Sequence, residues 1–491
     1  MTTSPAAVAD GPAAVVSGHG QRLVLNSGVL YAANALIRLL GAVTAALVVR
    51  AVSVSSFGVY TLALTITLLV GLVQDFGTSN VIVRRINQDA RRGAESIETT
   101  IALKLLLTAV TLLPVLAVVA ALGQQTLLAV LAVMTPVHLC TAYSTTLTSA
   151  YNGAERFDVP VRLSVLPMLA TPVLTFALLG VGAGVYGAAA ALVVGSALTS
   201  AVLWRRFTRD YFRPHVVYDR RILLLAAESL PFFLLALSNV LYTKIDTFVL
   251  AKVQGVDAVA VYGAAVRFLE FVQIVPNVLT AALLPISVRL MSASERRLGD
   301  TIGRVVRLGL FLAIPVVIAV VWAAPTLTTW VFGERYDVAA RPLQIMAVAM
   351  VFSMVNSPLT LLFYAGSQTR RLLVVPVVLL VVNIAMNIYA VTVYSYNGAA
   401  VVTLITEALG TVALVVLIVR TRFDIDLRGV LRGSAALWVL TAVLLAEVIW
   451  VDDRLLRALL LLVTYVGAAS MLRYPRRELA NLGRMVRSGR R

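Results

Sequence analysis

The chain has 491 residues, of which 60% are hydrophobic and only 13% are Asp, Glu, Lys or Arg. Soluble domains carry about 25% charged residues, so this composition excludes a soluble globular protein and indicates an integral membrane protein. The 41 Lys and Arg residues outnumber the 24 Asp and Glu residues, which gives a net charge of +17. In a membrane protein this excess indicates orientation, because cytoplasmic loops collect Arg and Lys, and it requires no nucleic-acid partner.

Fourteen apolar runs follow one another along the chain, and each is long enough for a transmembrane helix of roughly 20 residues. They are predicted helices 1–14, at residues 24–50, 57–83, 97–122, 126–151, 158–181, 184–204, 222–251, 258–290, 305–332, 341–364, 372–394, 398–419, 433–450 and 455–472. Turns that contain glycine separate several pairs of neighbouring apolar runs, as at Gly180–Gly184 and Tyr394–Gly398. The predicted fold class is an all-α polytopic membrane protein with 14 transmembrane helices.

The charges of the connections agree with this count. If the N-terminus is cytoplasmic, 31 of the 41 Arg and Lys residues fall in the tails and the even-numbered, cytoplasmic connections. We therefore expect a multi-pass protein of the plasma (inner) membrane with both termini in the cytoplasm. Residues 1–21 lack the basic start and apolar core of a signal peptide, which favours a flexible tail.

A weak internal repeat divides the chain. Val29-Leu-Tyr31 recurs as Val240-Leu-Tyr242, and Gly187-Ala-Ala189 recurs as Gly398-Ala-Ala400, both after 211 residues. The repeat predicts two pseudo-symmetric six-helix lobes plus two C-terminal helices, with the lobes related by an axis along the membrane normal. The predicted boundaries are a tail at 1–21, an N-lobe at 22–207, a linker at 208–221, a C-lobe at 222–423, helices 13 and 14 at 424–472, and a basic cytoplasmic tail at 473–491.

Several short segments carry a family signature. They are Phe57-Gly-Val-Tyr60, Asp75-Phe-Gly77 with Arg84-Arg85, Ser229-Leu-Pro-Phe-Phe233, Tyr242-Thr-Lys-Ile-Asp246, Val261-Tyr-Gly-Ala-Ala265, and then Pro276 and Pro285. With these segments the chain resembles the polysaccharide flippases of the multidrug/oligosaccharidyl-lipid/polysaccharide exporter superfamily, the group of the O-antigen and lipid II flippases.

The resemblance implies a transporter, not an enzyme, with two lobes around a central cavity. It would move a polyprenyl-diphosphate-linked oligosaccharide from the inner to the outer leaflet by alternating access, for surface polysaccharide biosynthesis. The implied partners are this glycan lipid, membrane lipids, and a polysaccharide polymerase or glycosyltransferases. The sequence has no phosphate-binding loop motif, which agrees with transport that does not hydrolyse nucleotides.

Charged side chains inside the predicted helices are candidates for the substrate cavity, because each costs about 2.5–3.5 kcal/mol to insert at mid-membrane. The six candidates are Arg38, Asp75, Lys104, Lys244, Arg267 and Glu270. An arginine fork suits a lipid diphosphate, since it makes bidentate contacts to phosphate. The lipid II flippases carry essential arginines in helices 1, 2 and 8, and this chain matches them in helices 1 and 8 only.

Structural alternatives remain open for these charges. Arg38 could pair with Asp75 across helices 1 and 2. Arg267 and Glu270 lie three residues apart on one helical face and could neutralise each other. Lys104 lies close enough to the cytoplasmic end of helix 3 to extend to the interface.

A second group of polar residues suggests a coupling-ion site. Asn383 and Asn387 lie four apart on one face of helix 11, and Asp246 and Thr403 lie at similar depths in helices 7 and 12. Their oxygen atoms suit a hard cation. The spacing resembles the sodium site of the lipid II flippases, in which an aspartate stands at the position of Asn387. Mid-helix Glu407 is a further candidate, for a proton or for a structural hydrogen bond.

Alternatives apply to this group as well. The Asn side chains could bond neighbouring helices, and Asp246 could cycle protons or pair with Lys244 or a nearby Arg. We expect no cofactor other than a coupling Na⁺ or H⁺. The single cysteine, Cys140, excludes an intramolecular disulfide, and His138 has no ligand-spaced partner, so it predicts a buried hydrogen bond.

Two rival functions follow from the sequence. Acidic residues inside the helices leave open a cation-coupled multidrug antiporter of the same superfamily, although buried arginines disfavour a cationic substrate. A membrane glycosyltransferase or polymer ligase usually needs a large outer loop, and the predicted outer connections are short.

Overall fold

The computed structural model describes residues 39–272 and 294–421, apart from residues 367 and 373, together with isolated positions outside these ranges. Within this part of the chain every regular element is a helix. The helices are α1 (Leu39–Ala51), α2 (Val54–Asp75), α3 (Thr78–Gln88), α4 (Ala90–Ala121), α5 (Gln125–Gly153), α6 (Asp158–Gly180), α7 (Gly184–Asp210), α8 (Arg221–Val253), α9 (Val256–Val272), α10 (Glu295–Phe332), α11 (Ala340–Ala365) and α12 (Val374–Thr421).

These helices confirm an all-α polytopic fold. Nine helical spans of the described residues are long and apolar enough to cross a membrane, which identifies a multi-pass membrane protein. Predicted helices 3–7 and 10 are confirmed, with ends shifted by up to seven residues, and predicted helix 9 is confirmed with a start ten residues earlier, at Glu295. Predicted helices 13 and 14, most of helix 1 and the second half of helix 8 lie outside the described ranges, so the number fourteen stays a prediction.

The helices keep large apolar side chains on their outer faces. Leu166 exposes 77% of its surface, Phe176 68% and Leu113 65%. A helix that is apolar on all faces is stable where lipid replaces water, because the helix already satisfies its own backbone hydrogen bonds.

The run α12 contains two helices of the prediction. Ser395 has φ 52°, and Asn383 lies within 3.4 Å of Thr406 although the two are 23 residues apart. In a straight helix they would be about 34 Å apart, so the chain must double back near Ser395. The predicted turn at Tyr394–Gly398 is therefore confirmed, with a first arm at 374–394 and a second arm at 396–421.

Predicted helix 2 is broken. The helix α2 ends at Asp75 and α3 begins at Thr78, because Phe76 and Gly77 both have left-handed φ angles, 47° and 75°. Such a conformation is rare for a residue with a Cβ atom and costs about 1–3 kcal/mol at Phe76. It persists only where surrounding contacts hold it.

The described chain forms two compact units. The first contains residues 70–123 and 131–233, and the second contains residues 45–69, 124–130 and 234–421. The core of the first includes Tyr151, Leu203 and Phe207, and in the second α10 packs on α11 and α11 on α12. The predicted lobes at 22–207 and 222–423 stay a prediction.

Candidate substrate and cation sites

Two cations share one carboxylate in the second unit. The Nζ atom of Lys244 on α8 lies 3.0 Å from Oε1 of Glu270, and Nη1 of Arg267 lies 2.9 Å from Oε2 of the same side chain. The predicted pair Arg267–Glu270 is confirmed, and the structure adds Lys244, which the sequence could not assign because it comes from another helix. We call these three residues the cationic trio.

The cationic trio keeps a net charge of +1. Its side chains expose 22% (Lys244), 27% (Arg267) and 31% (Glu270) of their surface. Lys offers three donors and Arg five, so each cation keeps donors beyond those used on Glu270. The trio can therefore bind an anion without breaking its internal ion pairs.

A different ion pair lies in the first unit. The Nζ atom of Lys104 donates to Oδ1 of Asp75 at 2.7 Å and to Oγ1 of Thr145 at 2.8 Å, and the lysine side chain is fully buried. The hydroxyl of Ser79 also donates to Asp75. The expectation that Lys104 extends to the interface is wrong, because its buried ammonium pairs with the partly exposed carboxylate of Asp75 instead. Arg38, the partner considered for Asp75, lies outside the described residues.

Next to this pair, Gln74 connects three helices. Its Nε2 atom donates to Oγ1 of Thr108 at 2.8 Å and to the carbonyl of His138, and its Oε1 atom accepts from Thr141 at 3.0 Å. Sequence reasoning passed over Gln74, since a single amide in an apolar helix does not reveal its partners. His138 is buried, and it is its backbone carbonyl that accepts the bond from Gln74, so the hydrogen bond predicted for its side chain stays a prediction.

Asp246 lies in a buried polar cluster of the second unit. Its carboxylate accepts from the backbone N–H of Thr247 at 2.7 Å and from the hydroxyl of Tyr262. The Tyr262 oxygen also lies 3.4 Å from Oγ1 of Thr403, which joins α8, α9 and the second arm of α12. Lys244 pairs with Glu270 instead, so the alternative pairing of Asp246 with Lys244 is wrong.

The two asparagines of the first arm continue this cluster. Asn387 donates from Nδ2 to the backbone oxygen of Asn383 at 3.0 Å and to its Oδ1 atom at 2.9 Å. Asn383 contacts Thr406, and Thr406 in turn donates to the backbone oxygen of Thr403 at 3.1 Å. The predicted shared face of Asn383 and Asn387 is confirmed, with Thr406 as the direct neighbour. We call Asp246, Tyr262, Thr403, Thr406, Asn383 and Asn387 the oxygen cluster.

One atom of the oxygen cluster has no partner. The Oδ1 atom of Asn387 is buried and accepts no hydrogen bond from any described residue. Burying an acceptor without a partner is unfavourable, so this oxygen is available to bind a ligand. Asp246 supplies the one carboxylate of the cluster, and the other donors are neutral oxygens, a set that fits a monovalent hard cation. The described residues contain no group of three His, Cys, Asp or Glu side chains that could hold a metal ion.

Glu407 forms polar contacts with α11, and Tyr242 of α8 hydrogen-bonds both Glu407 and Thr406 of the oxygen cluster. The Oε2 atom of Glu407 accepts from Ser353 at 3.0 Å and from Nδ2 of Asn356 at 3.1 Å, both on α11. Thr411 donates to Oδ1 of Asn356 at 2.7 Å. The predicted structural hydrogen bond of Glu407 is present, and its described hydrogen-bond donors are neutral.

A comparison with protein families decides the identity of the chain. The family model of polysaccharide biosynthesis proteins matches residues 23–291, more than half of the chain. The chain belongs to the polysaccharide biosynthesis protein family. The MatE family model matches residues 231–389 as well. No curated protein matches the chain.

Solved structures place this polysaccharide biosynthesis protein among known transporter folds. The lipid II flippase MurJ in an inward closed conformation matches with a TM-score of 0.69 at 13% identity, over 90% of this chain and 98% of that chain. A multidrug resistance MATE family transporter of the MOP superfamily, in an inward-facing conformation, matches with a TM-score of 0.60 at 16% identity, over 79% and 99%. A MOP superfamily transporter from Pyrococcus furiosus matches with a TM-score of 0.58 at 17% identity, over 82% and 95%. These likenesses support the all-helical, transporter-type fold expected from the resemblance, while the two lobes around a central cavity stay a prediction.

Within this family member, the predicted site residues fall into three groups. Asp75 and Lys104 form an ion pair with each other, whereas Lys244, Arg267 and Glu270 form the cationic trio. The oxygen cluster holds four of the five predicted coupling residues, and Glu407 bonds to α11.

Proposed function

We propose that this protein is a flippase that moves a polyprenyl-diphosphate-linked oligosaccharide from the inner to the outer leaflet by alternating access, for surface polysaccharide biosynthesis. The observation that carries the proposal is the cationic trio, in which two cations share one carboxylate. An uncompensated charge in an apolar bundle costs about 2.5–3.5 kcal/mol, and an anionic substrate offsets this cost when it binds.

A diphosphate suits the trio better than a sugar alone does. The guanidinium of Arg267 is planar and always charged, so it can hold two phosphate oxygens at once. The ammonium of Lys244 adds a second positive charge, and Glu270 keeps both cations in place while no substrate is bound. Asp75, Lys104 and Arg38 stay predictions for the same cavity.

Sodium is the proposed coupling ion, with Asp246, Asn387, Asn383 and Thr403 as the residues that would hold it. The unpartnered Oδ1 atom of Asn387 supports this assignment. When bound, the ion supplies the free energy of its own gradient. The chain's own part is to hold acceptor oxygens from α8 and both arms of α12 together, through Tyr262 and Thr406.

The proposed setting is the plasma (inner) membrane, with both termini in the cytoplasm. The partners would be the lipid-linked glycan, surrounding membrane lipids, and a polysaccharide polymerase or glycosyltransferases that act before or after transport.

A cation-coupled multidrug antiporter is the second candidate. It is favoured by Glu407, a carboxylate whose described donors, Ser353, Asn356 and Tyr242, are neutral, and by the MatE match over residues 231–389. In that case the acidic side chains, rather than the trio, would meet the substrate.

The test is transport by purified protein in liposomes. A fluorescent polyprenyl-diphosphate oligosaccharide is added, and its arrival in the opposite leaflet is followed by chemical quenching. We expect Arg267→Gln to slow flipping about tenfold or more, the loss typical of one charge-assisted contact of 1.5–3 kcal/mol. The fold is retained, because Lys244 still neutralises Glu270. The matched control is Arg162→Gln, which removes an exposed arginine paired with Asp158.

Two results would contradict the flippase. One is that wild-type protein leaves the probe in its original leaflet; the other is that Arg267→Gln and Arg162→Gln flip at the same rate. Export of a cationic dye that is lost in Glu407→Gln would instead support the antiporter.

A further inference from the structure

The break between α2 and α3 is held from outside the two helices. Phe76 takes a left-handed conformation that its side chain disfavours, and its ring stacks on Phe233 of α8 with centroids 4.4 Å apart. A Cβ atom on Gly77 would lie 2.8 Å from the backbone oxygen of Ser229 and 2.7 Å from Cβ of Phe232. The start of α8 therefore contacts the strained residues Phe76 and Gly77 directly.

Apolar contacts extend the interface between the start of α8 and the helices α3 and α4, which we call the docking surface. Ile222 and Leu225 of α8 pack with Val81, Ala102 and Leu103 from α3 and α4. Residues 221–233 accordingly belong to the first unit, while α8 continues from residue 234 in the second. One short stretch of a long helix thus covers the broken helix.

An ion-pair cluster lies at the edge of this surface. Arg84 and Arg85 at the end of α3 both pair with the carboxylate of Glu228, and Arg85 also donates to Oγ of Ser96 at 2.8 Å. The side chains of Arg84, Arg85 and Glu228 expose 48%, 28% and 27% of their surface. Partly exposed ion pairs are weak, so this contact can open far more easily than a buried one.

We propose that Glu228 is a latch residue. Its ion pairs with Arg84 and Arg85 dock residues 221–233 on α3 and α4, and this docking holds the strained break at Phe76–Gly77. The latch opens during each transport cycle. Strain at Phe76 favours the open form, and the ion pairs together with the apolar contacts favour the docked form. Because these contributions to the free energy oppose each other, the segment can adopt two states, docked and open, and a transport cycle can shift the balance between them. The link to the cycle rests on the proposed function, but the latch itself does not.

The test measures how often the docked surface opens. In a Cys140→Ala background, Ser229→Cys places a reporter thiol at a fully buried position beneath Gly77, and Thr146→Cys places one at a fully buried position of α5 in the same unit. The readout is the rate at which N-ethylmaleimide labels each thiol in liposomes. We expect Glu228→Gln to raise labelling of residue 229 about tenfold through local opening, with residue 146 unchanged.

The matched control is Asp158→Asn, which removes a carboxylate from an exposed ion pair within α6 of the same unit. Equal labelling of residue 229 in Glu228→Gln and Asp158→Asn would overturn the latch. So would a parallel rise at residue 146, since that would show general loosening of the unit.

A second measurement connects the latch to transport. With Glu228 intact, addition of a polyprenyl diphosphate oligosaccharide should raise labelling of residue 229, because turnover opens the latch. If the reporter protein flips this probe and labelling does not rise, the latch plays no part in the cycle. If the probe is not flipped, the proposed function fails, and the comparison of Glu228→Gln with Asp158→Asn still decides whether the latch exists.

Discussion

Asn387 carries a neutral amide at the position where, by resemblance, the lipid II flippases carry an aspartate. Asn387→Asp adds a second negative charge to the oxygen cluster. We expect it to lower the Na⁺ concentration for half-maximal flipping about tenfold, which corresponds to about 1.4 kcal/mol. Asp246→Asn removes the carboxylate of the cluster and should abolish the dependence on Na⁺. The measurement is the initial flipping rate against Na⁺, with K⁺ keeping the ionic strength constant.

The control for these two variants is Asn152→Asp, which makes the same change as Asn387→Asp but at the end of α5 in the first unit. An identical Na⁺ dependence in Asn387→Asp, Asp246→Asn and wild type would show that the oxygen cluster takes no part in coupling.

Lys104 is the second residue whose role can be separated by substitution. Its ammonium is fully buried against Asp75, so Lys104→Met leaves a carboxylate inside the bundle without its cation. We expect a loss of about 1–3 kcal/mol in unfolding free energy, below the value for a fully buried pair because the Asp75 side chain is 32% exposed. Thermal unfolding in detergent measures it. The double variant Asp75→Asn/Lys104→Met should regain most of the loss, and a double variant as unstable as the single one would show that the pair is not the cause.

Among the helices, the break at Phe76–Gly77 gives the sharpest prediction. Gly77→Ala puts a Cβ atom 2.7–2.8 Å from atoms of α8 and forces alanine into a left-handed φ of 75°. We expect a loss of about 1–3 kcal/mol or more, seen as a lower unfolding temperature.

Gly71→Ala is the matched control for this substitution. Gly71 lies inside α2, and no atom of a neighbouring residue lies within 4 Å of the position that an added methyl group would take. Alanine should therefore be neutral there or stabilise the helix by about 0.5–1 kcal/mol. Equal unfolding temperatures for the two variants would show that α8 does not restrain the break.

The sequence predicts the helices well and their interruptions poorly. Apolar runs predict the positions of α4 to α8 to within seven residues at each end, because a membrane requires about 20 apolar residues in a row. Residues 57–83 look like one helix, since apolar residues continue on both sides of Phe76. The left-handed turn there depends on Phe233, which lies more than 150 residues away in the chain and leaves no local signal.

The same distinction applies to the candidate sites. Contacts within one helix, such as Arg267–Glu270 and Asn383–Asn387, follow from spacing and were predicted. Contacts between helices, such as Lys104–Asp75 and Tyr262–Asp246, depend on how the helices pack, and no spacing in one sequence reveals them.

For the whole molecule, composition, family and fold agree on a multi-pass membrane protein of the polysaccharide biosynthesis protein family, with a fold similar to those of known transporters. We propose more specifically that the substrate is an anionic, lipid-linked glycan. The net positive charge of the cationic trio supports this claim, while Glu407 represents the antiporter alternative.

The leaflet distribution of polyprenyl-linked sugars in cells depleted of this protein tests that claim most directly. We expect the sugars to accumulate in the cytoplasmic leaflet, and we expect wild type and Arg162→Gln to restore their export, whereas Arg267→Gln does not. An unchanged distribution in depleted cells, together with lost resistance to cationic compounds, would contradict the flippase and favour the antiporter.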